Sequence, residues 1–251
     1  MRLRRRKSMK IAGGAVRLIL AAGLTAWPAL ATAGEAPRAN VPPQVAAAGL
    51  DPSAPSASLG KRANFGGEVA SQDARRVADW VVSSGDNDGL PFVVVDKIRA
   101  KVFVFDSAGG LRGATLALMG RARGDDTVPG IGARRLKTIL PDERTTPAGR
   151  FKAVLGRDFE HDILWIDYGA SISLHRVVTG DPGDNRLMRL ATTSALDKRI
   201  TYGCINVPVK FYEDIVLTTF SAAVGMVYIL PETKKIEDVF ALSSAAGPDR
   251  R

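Results

Sequence analysis

The sequence predicts a mainly β domain, on three observations. Short apolar runs rich in Val, Ile and Phe recur between residues 92 and 230, with the length and composition of strands. Turn-forming clusters punctuate them, among them Ser107-Ala108-Gly109-Gly110 and Gly169-Ala170. Helical spacing of apolar residues is confined to two short stretches, one before the strands and one late in the chain.

The chain begins with an export signal, expected over residues 1–33. Arg2, Arg4, Arg5, Arg6, Lys7 and Lys10 form a positive head, Leu18 to Leu30 is a short apolar run, and Ala31-Thr32-Ala33 offers small residues for cleavage. The run falls short of the about 20 apolar residues a membrane span needs. The membrane is therefore expected as a partner only through an uncleaved signal. Arg5-Arg6 lacks the following aromatic and aliphatic pair of a twin-arginine signal, which favours the general secretory route and a periplasmic destination. These residues also explain the charge. Seven of the cations, Arg17 included, lie in the signal, and removing them lowers the formal charge from +9 to about +2. With no basic cluster interleaved with aromatics, no nucleic-acid partner is expected.

Residues 34–67 are rich in Ala, Pro, Ser and Gly, too poor in large apolar groups to offset ordering entropy, and read as a flexible linker. A helical lead-in follows at 68–91. Ala74, Val77, Ala78 and Val81 share one face of a helix over Asp73 to Ser83, with Ser71 placed to cap it. The domain proper is expected at 92–231 and a polar tail at 232–251.

Within the domain, Phe92 to Val95 and Val102 to Phe105 read as buried strands, and Arg112 to Met119 returns after the Ser107–Gly110 turn, the pattern of an antiparallel meander. Phe151 to Leu155, Ile163 to Tyr168 and Ser171 to Val177 are the next strands. In the last, alternation puts Ile172 and Leu174 on the core face, with Ser173 and His175 on the other. Pro208 suits the first turn of a helix running to about Phe220, and Gly225 to Leu230 is the final strand.

Chemistry concentrates at Thr201-Tyr202-Gly203-Cys204-Ile205-Asn206, which holds the only cysteine of 251 residues. A lone cysteine in an exported chain pairs with another chain, stays inert as a small buried hydrophobe, or works as a free thiol. A nucleophilic thiol needs a base and donors for an oxyanion. The chain has two histidines. His175, at a strand end and off the core face, is the better base, while His161 sits between Glu160 and Asp162 in a polar turn. The expected helix after Cys204 would favour the thiolate, and the peptide N–H groups of Tyr202, Gly203 and Cys204 are candidate oxyanion donors.

This hexapeptide resembles the signature of the L,D-transpeptidase catalytic domain, the YkuD-like family, in which an upstream His is followed by Ser/Thr-His-Gly-Cys, an apolar residue, and Asn or Arg. Thr145-Thr146-Pro147-Ala148-Gly149-Arg150-Phe151 resembles that family's Thr-Pro-x-Gly-x-Phe segment, and Val94-Val95-Asp96 through Val104-Phe105 its opening hairpin. The resemblance spans about Phe92 to Leu230. It implies a YkuD-like β-sandwich-type domain with a few short helices. It makes Cys204 the nucleophile, His175 the base oriented by the backbone carbonyl of Arg176, Gly203 an oxyanion donor, and Thr201 and Asn206 residues that shape the loop. The implied reaction is thiolate attack on the diaminopimelate–D-alanine bond of a peptidoglycan stem peptide, followed by transfer of the acyl group to another stem, an outer-membrane lipoprotein lysine, a D-amino acid or water. No metal or other cofactor is implied.

Two departures stand out. Tyr202 replaces the motif histidine, and the reading takes it as a hydrogen-bonding substitute; it is also the feature that favours a wall-binding or assembly module without turnover. The 29 residues from His175 to Cys204 exceed the usual spacing, and Asp181-Pro182-Gly183-Asp184-Asn185 reads as a polar loop that absorbs the excess and forms part of a lid. Arg176, Arg186, Arg189 and Lys198 read as solvated loop charges.

Overall fold

The computed structural model describes residues 61–158, 161–222 and 224–242; the expected signal, most of the linker and the end of the tail lie outside them. The fold is mainly β. Strands β1 (Phe92–Asp96), β2 (Lys101–Phe105) and β3 (Leu111–Leu116) form the antiparallel meander that the turn at Ser107–Gly110 anticipates. Next come the two-residue β4 (Met119–Gly120), β5 (Gly149–Asp158), β6 (His161–Asp167), β7 (Ile172–Arg176), β8 (Arg199–Thr201), β9 (Ile205–Val207) and β10 (Val224–Ile229). Eight of them make one sheet in the order β3-β2-β1-β10-β5-β6-β7-β9, and β4 pairs with β8. The sheet is mixed rather than antiparallel throughout, because β1–β10 and β7–β9 pair in parallel. Both parallel pairs join segments far apart in sequence, which local alternation does not encode.

The central strands are buried on both faces, which is why they read as unbroken apolar runs. Val93, Val95, Val102, Val104, Val227 and Ile229 point into one core. Their neighbours Phe92, Val94, Phe103, Phe105, Met226 and Tyr228 point into a second. Helix α1 (Gln72–Ser84) covers the second core with Ala74, Val77, Ala78 and Val81, and Ser71 Oγ accepts the Ala74 N–H at 3.1 Å, as the sequence leads one to expect. The later helical stretch seals the first core with Tyr212, Val216 and Phe220. It opens as the short α3 (Val209–Phe211), preceded in chain order by α2 (Arg186–Ala191), and passes into a π-helical turn over Tyr212–Leu217.

The domain is larger than the sequence reading made it, at both ends. Phe65, assigned to the linker, is buried with its ring 5.5 Å from Phe103 and 5.1 Å from Phe105. Asn64 forms a bridge with Gly110. The ring's burial and the Asn64 backbone bonds to Gly109 and Leu111 together tie this polar segment to the sheet. In the expected tail, Ile236 and Phe240 pack into the second core, and residues 232–234 wrap a buried carboxylate. Asp125 accepts the N–H groups of Glu232, Thr233 and Lys234 at 2.7–2.8 Å. Lys97 Nζ donates to Asp125 at 2.7 Å, to the Gly124 carbonyl at 2.6 Å and to the Thr146 carbonyl at 2.8 Å. Glu232 completes the cluster, 3.8 Å from Lys97 and paired with Arg199. Burial alone would raise the Asp125 pKa, but the hydrogen bonds from Lys97, Thr233 and the backbone outweigh it and hold this carboxyl well below the ordinary range. Burial lowers the Lys97 ammonium, against the pull of Asp125.

Truncating one member of such a pair strands the other charge in a dry site. Lys97→Ala should therefore destabilise the domain by about 3–5 kcal/mol in urea or thermal unfolding. A loss within about 0.5 kcal/mol, the range of surface substitutions, would show that the cluster is not structural.

Candidate active site

The parallel register of β7 with β9 sets the site. Leu174 stands opposite Ile205 and His175 opposite Asn206, and the same register carried back one step sets Ser173 beside Cys204. Across β6, Ser173 faces Trp165. Since side chains alternate along a strand, Leu164, Leu174 and Ile205 all point into the first core. Trp165, Ser173, His175 and Cys204 all open into a cavity of about 630 Å³, whose wall also carries Asp158 and His161. The alternation read from Ile172-Ser173-Leu174-His175 thus puts His175 on the cavity side, as expected. It also places Ser173, to which the sequence reading gave no role.

Cys204 is half-buried. The Ser173 hydroxyl donates to its Sγ at 3.6 Å, and the thiol donates to the Ser171 carbonyl at 3.5 Å. Burial pushes the thiol pKa up, although the Ser173 hydroxyl and the peptide N–H groups of Ser173 and Cys204 pull the other way. His175 moves in the opposite direction: burial lowers it, and Arg186 adds to that effect, while the Arg176 carbonyl and Asp158 oppose it. Both shifts favour the uncharged forms, a thiol and a neutral imidazole, over the ionised sulfur expected from the sequence. The helix-terminus argument fails for a simple reason: Cys204 leads into strand β9, and α3 starts only at Val209.

The imidazole is held at both nitrogens. Nδ1 lies 2.7 Å from the Arg176 carbonyl, the partner that the resemblance implies. Nε2 lies 3.0 Å from Asn206 Nδ2. Among the described residues no hydrogen bond joins His175 to Cys204. The two are diagonal neighbours on one sheet face and line the same cavity. The Arg176 side chain works elsewhere, pairing with Asp162 and Glu213 at 3.1 Å each and lying 4.5 Å over the Tyr212 ring. It locks β7 to β6 and to the helical turn behind.

The turn before Cys204 is fixed by two threonines. Thr201 Oγ1 donates to the Cys204 carbonyl at 2.6 Å and accepts the Gly203 N–H at 3.1 Å. Thr146 Oγ1, from the Thr-Pro segment, donates to the Gly203 carbonyl at 2.7 Å. The Gly203 N–H is thereby committed and is not a free oxyanion donor, contrary to expectation; the Ser173 hydroxyl and the N–H groups of Ser173 and Cys204 are donors beside the sulfur. Gly203 is required at φ +131°, where an added Cβ would stand 2.6 Å from both the Thr145 carbonyl oxygen and Ile172 Cδ1. Among the described residues the Tyr202 hydroxyl makes no hydrogen bond, unlike the hydrogen-bonding substitute expected for the motif histidine. Its ring packs against the first core, with the Arg144 guanidinium 3.9 Å above its centroid.

The segment between β7 and β8 is also less solvated than its charges suggested. The Lys198 ammonium is buried and donates to the carbonyls of Arg189 and Thr192 at 2.5 and 2.7 Å. Arg189 donates to the carbonyls of Asp184 and Asp197. Arg186 reaches Asp184 at 2.9 Å and Asn206 Oδ1 at 3.2 Å. Lys198 and Arg189 satisfy backbone carbonyls that the short helical turns of this segment leave open.

No family model matches the chain, and no curated protein does. Among solved structures the chain is similar to a mutant of the helical cell shape determining protein Pgp2 from Campylobacter jejuni, at TM-score 0.38 and 13% identity over 66% of this chain and 58% of that one. It is also similar to the catalytic domain of an E. faecium L,D-transpeptidase, at TM-score 0.32 and 13% identity over 56% of this chain and 96% of that one. A mutant of Enterococcus faecium L,D-transpeptidase aligns at TM-score 0.31 and 16% identity, over 56% of this chain and 49% of that one.

Two outcomes are expected from this geometry. Gly203→Ala should cost about 1–3 kcal/mol through backbone strain alone, and should change the alkylation rate of Cys204 by displacing the turn; unchanged stability and reactivity would contradict the packing described. Because the folded thiol has a raised pKa, its thiolate fraction is below that of free cysteine at neutral pH. Alkylation by iodoacetamide should accordingly be slower than for free cysteine near pH 7 and climb through the alkaline range. A rate that plateaus below pH 7 would mean that the sulfur is already ionised at rest.

Proposed function

We propose that this domain is a cysteine acyltransferase acting on peptidoglycan stem peptides in the cell envelope, reached through the signal at 1–33. One observation carries the reading. A cysteine within the Thr-Tyr-Gly-Cys-Ile-Asn motif shares one cavity and one sheet face with a histidine whose Nδ1 is bound by the carbonyl of the next residue.

The chemistry starts from the neutral pair. His175 Nε2 takes the thiol proton as the sulfur attacks the scissile carbonyl carbon. The carbon–sulfur bond forms and the carbonyl oxygen becomes an oxyanion, beside the Cys204 N–H and the Ser173 hydroxyl. Collapse of this intermediate breaks the C–N bond, and the departing D-alanine amine takes the proton from His175. An acceptor amine or water then attacks the thioester, passes its proton through His175, and restores the thiol. Stem, lipoprotein lysine, D-amino acid and water are the acceptors this scheme accommodates. For the first proton transfer, the Asn206 N–H must release Nε2.

A second reading, a wall-binding module without turnover, draws on that last point, since a protonated thiol and an occupied Nε2 describe an idle site. Acylation separates the two. Incubated with a carbapenem, the protein should gain one covalent adduct on Cys204 by mass spectrometry, and Cys204→Ser should gain none. His175→Ala should slow adduct formation by roughly 10²–10⁴-fold. Absence of an adduct on the folded wild type would favour the binding module.

A further inference from the structure

The arrangement around Asn206 has a direction set by chemistry. Asn206 is buried, and its backbone is fully used, exchanging hydrogen bonds with Leu118 at 2.8 and 2.9 Å. Only its side-chain amide has a choice of orientation. On one side stands Arg186 Nη1, 3.2 Å from Oδ1. A guanidinium has donors and no acceptor, so the amide must turn its oxygen to Arg186 and its NH₂ to His175. Nε2 must then accept, 3.0 Å away, and the ring proton must sit on Nδ1. The Arg176 carbonyl, 2.7 Å from Nδ1, demands the same tautomer from the other side. Arg186, the first residue of α2, is itself oriented by Asp184 at 2.9 Å, two residues earlier.

We propose that Arg186 is a positioning residue for the active-site histidine: acting through Asn206, it holds His175 as the neutral, Nδ1-protonated imidazole. Protonating Nε2 would set two N–H groups against each other. Flipping the amide to relieve that clash would set its NH₂ against the Arg186 guanidinium. Both alternatives are uphill, so the ring stays neutral and aligned. The segment between β7 and β8, longer than the motif spacing requires, thus supplies a side chain to the site's hydrogen-bond chain rather than only a cover.

Other charged or titratable groups face the same ring and must be accounted for. Asp158 and His161, at the β5–β6 end of the cavity, share it with His175, as do Asp162 and Cys204. Asp158 favours the protonated ring and Arg186 disfavours it; the Asp162 carboxylate is occupied by the Arg176 guanidinium. Replacing Arg186 removes both the cation and the orienting donor while leaving Asp158 in place.

The role of Arg186 as an aid to catalysis rests on the proposed function, but its structural core has a readout that needs no turnover. The chain has two histidines, so long-range ¹H–¹⁵N spectra of ¹⁵N-labelled protein resolve the His175 ring directly. Wild type should show the Nδ1-protonated tautomer at neutral pH. Arg186→Met should raise the His175 titration midpoint by about one pH unit, the scale of one lost charged neighbour, and Arg186→Lys, still a donor, should restore most of the difference. Asn206→Asp, an acceptor at both oxygens, should raise the midpoint further and serves as the second variant should Arg186→Met misfold. In carbapenem acylation, the acid limb of the rate profile should move up with the midpoint. An unmoved midpoint in folded Arg186→Met, or the Nε2-protonated tautomer in wild type, would overturn the proposal. If the midpoints shift as expected and no variant is ever acylated, the proposed function fails and the positioning chain stands.

Discussion

The parallel pairing of β7 with β9 is the constraint on which the site depends. Its register puts His175 opposite Asn206 and, one step back, Ser173 beside Cys204. A slip of one residue would turn His175 and Ser173 into the first core and bring Leu174 to the cavity. Such a slip is strongly disfavoured, because Leu174, Ile205 and Val207 are completely buried on the opposite face. Apolar packing on one side of the sheet therefore holds the geometry of the polar groups on the other. The π-helical turn and the Arg176 ion pairs brace β7 from behind.

The second support runs through the buried ionic cluster. Asp125 gathers the chain at residues 232–234, and Lys97 joins it to the Thr146 carbonyl. Thr146 Oγ1 in turn holds the Gly203 carbonyl, one residue before Cys204. Arg199, two residues before Thr201, pairs with Glu232 in the same cluster. The cysteine turn is thus tied to the end of the domain by a short chain of charged and hydroxyl groups, each satisfied. Together with the cost of a Cβ at residue 203, this explains a turn that presents a thiol in one orientation.

Much of the fold was legible in the sequence because its signals are local. The α1 face, the Ser71 cap, the β1–β3 meander and the opposed faces of β7 follow from periodicity and turn chemistry over a few residues. The parallel pairings were not legible, since nothing nearby encodes which distant strand adds to an edge. Phe65, Ile236 and Phe240 were lost in polar surroundings that suggested linker and tail. At the site, residue types and the motif located Cys204, His175, Gly203 and Asn206. What they did with their hydrogen bonds was not visible: Gly203 donates to Thr201, Tyr202 stacks under Arg144, and Arg186 turns Asn206 toward the imidazole. Charge in a loop reads as solvated until the open carbonyls it satisfies are known, which is why Lys198 and Arg189 were misjudged. The raised pKa of the thiol follows from burial, a property of the whole sheet rather than of the hexapeptide.

The central claim is that Cys204 and His175, brought together across β7 and β9, transfer an acyl group from a stem peptide. The most direct measurement incubates the purified domain with a diaminopimelate-containing tetrapeptide stem and follows D-alanine release alongside the intact protein mass. The account predicts D-alanine release that depends on Cys204, with a tripeptide acyl group appearing on that residue when acceptor amines are withheld. A folded protein that binds the stem yet releases no D-alanine and forms no thioester at any pH would contradict it.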